Sequence, residues 1–73
     1  MRTDIFVNSR RLRQCIELMA EGNTMAEAGR KIGISKRTVL AHLTRAKMLT
    51  GAKSTTHLIA ICYQIGVLPM KKG

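Results

Sequence analysis

The stretch GRKIGISKRTVLAHLTRAK, residues 29–47, decides how the chain folds. It reads as two helices meeting at a corner. An apolar-faced segment runs into Gly33, Ile34 and Ser35, and a second helix, rich in basic and hydroxyl side chains, begins at once. Gly33 is the stop, because glycine takes the left-handed conformation that ends helices at little steric cost. Ile34 is expected to plug inward, and Ser35 to cap the next helix through its hydroxyl. A corner this tight sets two short helices at a steep angle over one core, a helix-turn-helix.

On the N-terminal side of the corner, Thr24 and Glu27 have the capping-box spacing, so the second helix is predicted to start there. Met25, Ala28, Gly29 and Ile32 share one of its faces, with Glu27, Arg30 and Lys31 pointing away. A glycine inside a helix costs roughly 1 kcal/mol relative to alanine. Gly29 is therefore read as a point of close approach by another helix rather than as a weak spot. Further upstream, Leu12, Cys15, Ile16 and Met19 recur at helical spacing and predict a first helix over Ser9–Ala20, stopped by Gly22.

Downstream of the corner, the third helix should span about Lys36 to Leu49, with Val39, Leu43, Ala46 and Leu49 on or near its inner face and His42 at the border. Its outer face holds Arg37, Ala41, Thr44 and Met48. Leu40 and Lys47 flank that row on one side, Arg45 on the other. After Gly51, Ser54 or Thr55 caps a fourth helix running to about Ile65, beyond which Gly66 and Pro69 prevent continuation. Leu58, Ile61, Cys62 and Ile65 form one stripe. Ile59 and Tyr63, with Thr56 below them, form a second, which one small core cannot easily cover. Residues 1–8 are read as an arm, 9–68 as the domain and 69–73 as a basic tail. The chain is thus expected to be all-α, with four helices.

Seventy-three residues make one domain with a small core. Thirteen Lys and Arg stand against four Asp and Glu, a net charge of +9, and that excess suits a polyanion. No apolar run reaches the roughly 18 residues of a membrane span, and the N-terminus lacks a secretory signal core. Cys15, Cys62, His42 and His57 are enough in number for zinc, but their spacing fits no zinc pattern. Reduced thiols in a cytosolic core, and no metal or cofactor, are expected. His42 has no nucleophile or carboxylate placed near it, so it is read as a packed structural histidine. His57 is read as a surface or dimer-edge residue. No nucleophile–base pair or phosphate loop supports an enzyme.

No acidic residue occurs from Arg30 to Gly73. Unpaired cations beside a row of short side chains suit insertion into the major groove of double-stranded DNA. Lys36, Arg37, Arg45 and Lys47 are candidates for phosphate contacts, with Ser35 and Thr38 adding hydroxyls or the helix N-terminus. Leu40, Ala41 and Thr44 are candidates for reading bases, the two apolar ones through thymine methyls. Arg37 can instead take a guanine, and Leu40 can instead be a peripheral core residue; both alternatives stay open on sequence.

The same residues resemble the LuxR/GerE-type helix-turn-helix domain. Ala20-Glu21-Gly22, Glu27, Ile32-Gly33-Ile34-Ser35, Thr38-Val39, His42 and Ser54 occupy the places of that family's recurring pattern without a gap, over about residues 12–68. Three positions depart from it: VNSRRLRQ replaces the usual opening, Ala28-Gly29 stands where Ile-Ala is usual, thinning the contact between helices two and three, and Leu40 stands where Lys or another polar residue is common. The resemblance implies a bacterial, cytoplasmic, nucleoid-associated transcription regulator that reads DNA with its third helix. By position it puts base contacts on Leu40, Ala41 and Thr44, and phosphate contacts on Thr38, Lys36 or Arg37, and Lys47. It implies a homodimer through Thr56, Ile59 and Tyr63 of the fourth helix, with RNA polymerase or another regulator as further partners. The short chain suggests a free-standing domain, regulated by its abundance or a partner, or else a piece of a longer protein. The alternative function is a decoy that pairs through Ile59 and Tyr63 with the matching helix of a larger regulator.

Overall fold

The computed structural model describes residues 10–66 and residue 68. Among them are four helices and no strand: α1 (Arg10–Ala20), α2 (Met25–Ile32), α3 (Lys36–Thr50) and α4 (Thr55–Gln64). The fold is the all-α helix-turn-helix domain that the spacing implied. Ser9, the arm 1–8, and the tail 69–73 with Pro69 lie outside the described residues.

Helical periodicity gives each element one apolar side, and those sides meet in one cluster. Leu12, Cys15 and Ile16 of α1, Ala28 of α2, Val39, Leu43 and Ala46 of α3, Leu58 and Cys62 of α4, and Leu68 form it. Burying these side chains supplies the main stabilising term in so small a domain. Helices α1 and α3 each pack on all the others, whereas α2 and α4 do not touch one another. The result is a central pair, α1 and α3, flanked by α2 and α4. Met19, Met25, Ile32 and Ile34 close the periphery, each half-buried against the cluster.

Thr24 and Glu27 form a full capping box. The Thr24 hydroxyl accepts the Glu27 N–H at 3.1 Å, and the Thr24 N–H donates to Glu27 Oε1 at 2.8 Å. Gly33 ends α2 at φ 73°, in the left-handed region that glycine favours. The N–H groups of Gly33 and Ile34 both reach back to the Gly29 carbonyl, the latter at 2.9 Å. Ser35 then caps α3, its hydroxyl accepting the Thr38 N–H at 3.1 Å.

Gly29 explains the steepness of the corner. A Cβ there would lie 2.5 Å from the Ile34 carbonyl oxygen and 3.3 Å from the Ser35 carbonyl carbon. The close approach is thus made by the turn and the first residue of α3, not by the body of a neighbouring helix. Glycine does not thin the contact between α2 and α3 but lets the turn fold back against α2.

The structure sharpens the helix boundaries and corrects the inner face of α3 at Leu49. Helix α3 extends one residue beyond Leu49 to Thr50, and its inner row continues from Val39, Leu43 and Ala46 to Thr50. Leu49 lies about a quarter-turn off that row and is 43% exposed. Thr50 can occupy the inner side because its hydroxyl donates to the Ala46 carbonyl at 2.8 Å. On α4, Ser54 is the cap and Ile65 the terminating residue. The core also reaches the second stripe of α4 further than the pattern suggested: Ile59 and Tyr63 are half-buried against it.

Candidate nucleic-acid interface

The inner row of α3 is fully buried at Val39, Leu43 and Ala46. That anchoring fixes the opposite side of the helix outward. Arg37, Leu40, Ala41 and Thr44, the base-reading candidates, are all exposed. Leu40 is 46% exposed and is not among the side chains packed against the core. Its peripheral-core reading is therefore set aside. Met48, on the same row, is 80% exposed. Leu40, Ala41, Thr44 and Met48, between Arg37 and Arg45, line a shallow open groove whose surface is almost wholly carbon.

The candidate phosphate-binding groups surround this row. Lys36 and Arg45 are exposed and Lys47 is half-exposed. Among the described residues, the ion pair is Arg13 with Glu17 on α1, at 3.5 Å, and none of the α3 cations meets a carboxylate. Ser35 and Thr38 are exposed and their hydroxyl oxygens lie 2.9 Å apart. One hydroxyl hydrogen is used between them, which leaves the other free to donate outward from the start of α3. The first-turn N–H groups add a favourable end for an anion.

Helix α3 has 15 residues and so is about 22 Å long. With its side chains an α-helix is about 10–12 Å across, close to the roughly 12 Å width of a B-DNA major groove. Glycines define both ends of α3. At one end, Gly29 admits the turn. At the other, Gly51 takes φ 77° and its N–H donates to the Lys47 carbonyl at 2.8 Å. A further tie, between the two helices that support the corner, was not legible in any local pattern: Arg11 Nη1 donates to the Ile32 carbonyl at 2.7 Å, pinning α1 to the C-terminal end of α2.

The other sequence candidates fall as follows. Thr56 is exposed on α4, while Ile59 and Tyr63 present only half their surface. His57 is exposed, and its Nδ1 accepts the Lys53 N–H at 3.1 Å while its own N–H donates to the Ser54 hydroxyl at 3.1 Å. It thus helps cap α4 by taking the N–H of the residue before Ser54, an arrangement that pattern reading missed because histidine is not a usual capping-box partner. His42 is half-buried on α3. Cys15 and Cys62 are buried free thiols, and burial pushes Cys62 up to about 11 and Cys15 above its ordinary value. Among the described residues, no group of His, Cys, Asp or Glu is placed to hold a metal, and no helix is long and apolar enough to cross a membrane.

Comparison with known families matches residues 8–62 to the bacterial regulatory proteins of the luxR family. That span is more than half of the 73-residue chain and takes in the corner, all of α3 and most of α4. No curated protein and no solved structure matches the chain.

Proposed function

The chain belongs to the LuxR family of bacterial regulatory proteins, whose helix-turn-helix implies DNA-binding transcription regulation, and we propose that it reads a specific duplex by laying α3 in the major groove. Leu40, Ala41 and Thr44 face the bases in this reading, with Arg37 at the groove entrance reaching a guanine or a phosphate. Lys36, Arg45 and Lys47, with the Ser35 and Thr38 hydroxyls, hold the flanking phosphates. Two copies pair through Thr56, Ile59 and Tyr63 of α4 and bind half-sites about 10 bp apart.

The observation that carries this reading is the build of α3: one side locked in the core, the other exposed and rimmed by cations that meet no carboxylate among the described residues. A solvated helix surface usually mixes both signs of charge. Three phosphate-bound cations per protomer, or four if Arg37 takes a phosphate, predict an affinity that falls with salt at a log–log slope of roughly −3 to −4 per protomer.

The test is a comparison of two variants on a panel of base-substituted duplexes. Thr44→Ala should flatten the preference between duplexes. Lys47→Ala should weaken all of them alike and reduce the salt slope by about 1. Indistinguishable profiles for the two variants would overturn the division of roles.

A further inference from the structure

We infer that α3 recognises the pyrimidine 5-methyl group, so that its sites are defined by thymine methyls and accept 5-methylcytosine in their place. This deepens the DNA-reading proposal above and rests on it.

The inference starts from what α3 lacks. In the major groove an adenine edge is held bidentately by Asn or Gln, a cytosine amino group by Asp or Glu, and guanine by Arg or Lys. Between Lys36 and Thr50 there is no Asn, Gln, Asp or Glu. Helix α3 therefore cannot make the bidentate adenine contact or the carboxylate contact to cytosine. Of its cations, Lys36, Arg45 and Lys47 are placed on phosphates in the reading above, and Arg37 remains for a guanine or a phosphate. The Thr44 hydroxyl both donates and accepts, so alone it separates bases poorly.

What the exposed row does offer is carbon. Leu40 and Met48 are large apolar side chains held open to water, at 46% and 80% exposure, with Ala41 and the Thr44 methyl between them. The thymine methyl is the one apolar feature that a base pair presents in this groove. Methyl against Leu, Ala, Thr or Met removes apolar surface from water on both sides of the contact. From Leu40 to Met48 the helix advances about 12 Å, the length of three to four stacked base pairs. The cations bordering the same row suit sugar–phosphate rails, and that charge complementarity commits this apolar face to duplex DNA rather than to an apolar protein partner.

The experiment first selects bound duplexes from a random pool with the full chain. In the selected site each thymine is then replaced by deoxyuridine, which removes only the methyl, and binding is measured. At the contacted positions affinity should fall about fourfold per methyl, the equivalent of burying one methyl-sized group. Replacing a contacted T·A pair by C·G should weaken binding, and 5-methylcytosine at that position should recover about fourfold over cytosine. With Leu40→Ala, the ratio between the thymine and deoxyuridine duplexes should shrink towards one at the position that Leu40 covers.

Equal binding of thymine and deoxyuridine duplexes, while transversions at the same pairs still weaken it tenfold, would overturn the methyl inference and leave DNA reading intact. A selected site without thymine in the contacted core would do the same. Selection of no preferred sequence would overturn both, and would turn this face towards a protein partner.

Discussion

A methyl group added at Gly29 would collide with main-chain atoms, because the Ile34 carbonyl oxygen lies 2.5 Å from where it would sit. In an open helix, Gly→Ala gains about 1 kcal/mol. Here Gly29→Ala should instead destabilise the fold by about 1–3 kcal/mol, since neither α2 nor the turn can yield without moving backbone. Thermal unfolding checks this, and a midpoint equal to or above that of the unaltered protein would contradict it. Gly29 was legible in the sequence as a close approach, because a mid-helix glycine is disfavoured without one. Its partner was not legible: nothing local distinguishes a neighbouring helix from the returning turn. Cys15 and Cys62 report on the same tightness. Their burial and raised pKa values predict slow alkylation of the folded protein at neutral pH, speeding sharply on denaturation. Fast labelling of either thiol in the folded state would contradict their place in the core.

At α2 the capping box links helix stability to pH. Hydrogen bonds from Thr24 hold the Glu27 carboxyl below its ordinary value of 4.5, with smaller help from Arg30 and Lys31. A depressed folded-state value means that the contribution is fully present above pH about 4.5 and is lost as the pH falls through the lowered value. Glu27→Gln, which keeps an acceptor for the Thr24 N–H but removes the charge, should therefore lower stability near neutrality and matter less in acid, where the carboxyl is already protonated. Urea midpoints for both proteins across the acid range test this; a constant difference between them would be inconsistent with it. The Thr24–Glu27 spacing was readable from sequence because a capping box is a local device. The inner side of α3 was readable for the same reason up to Ala46, after which the apolar type of Leu49 outweighed its angular position. Thr50, polar but satisfied by the Ala46 carbonyl, holds the inner place instead. Arg11 on the Ile32 carbonyl was not readable, since its partner is 21 residues away and is a main-chain atom.

For the molecule as a unit, charge is divided along the chain: the four acidic residues all precede Arg30, and the corner and α3 carry only positive charge. The division was plain from the sequence, whereas the half-burial of Ile59 and Tyr63 depended on how far the core extends under α4. That partial cover leaves less apolar area for pairing than a fully open stripe, so the proposed dimer should be concentration-dependent. Sedimentation should show a monomer–dimer equilibrium that Ile59→Asp with Tyr63→Asp shifts to monomer, and half-site spacing should lose its influence on binding in that variant. Unchanged association would remove α4 as the dimer surface.

The exposed row of α3 bears the weight of the functional reading, and backbone amide resonances followed during titration with a selected duplex examine it residue by residue. The largest shifts should fall between Arg37 and Met48 and at the Ser35 cap, with α1 little affected. If the signals of Ala41 and Thr44 stay in place while the duplex binds, α3 does not enter the groove and the functional reading fails.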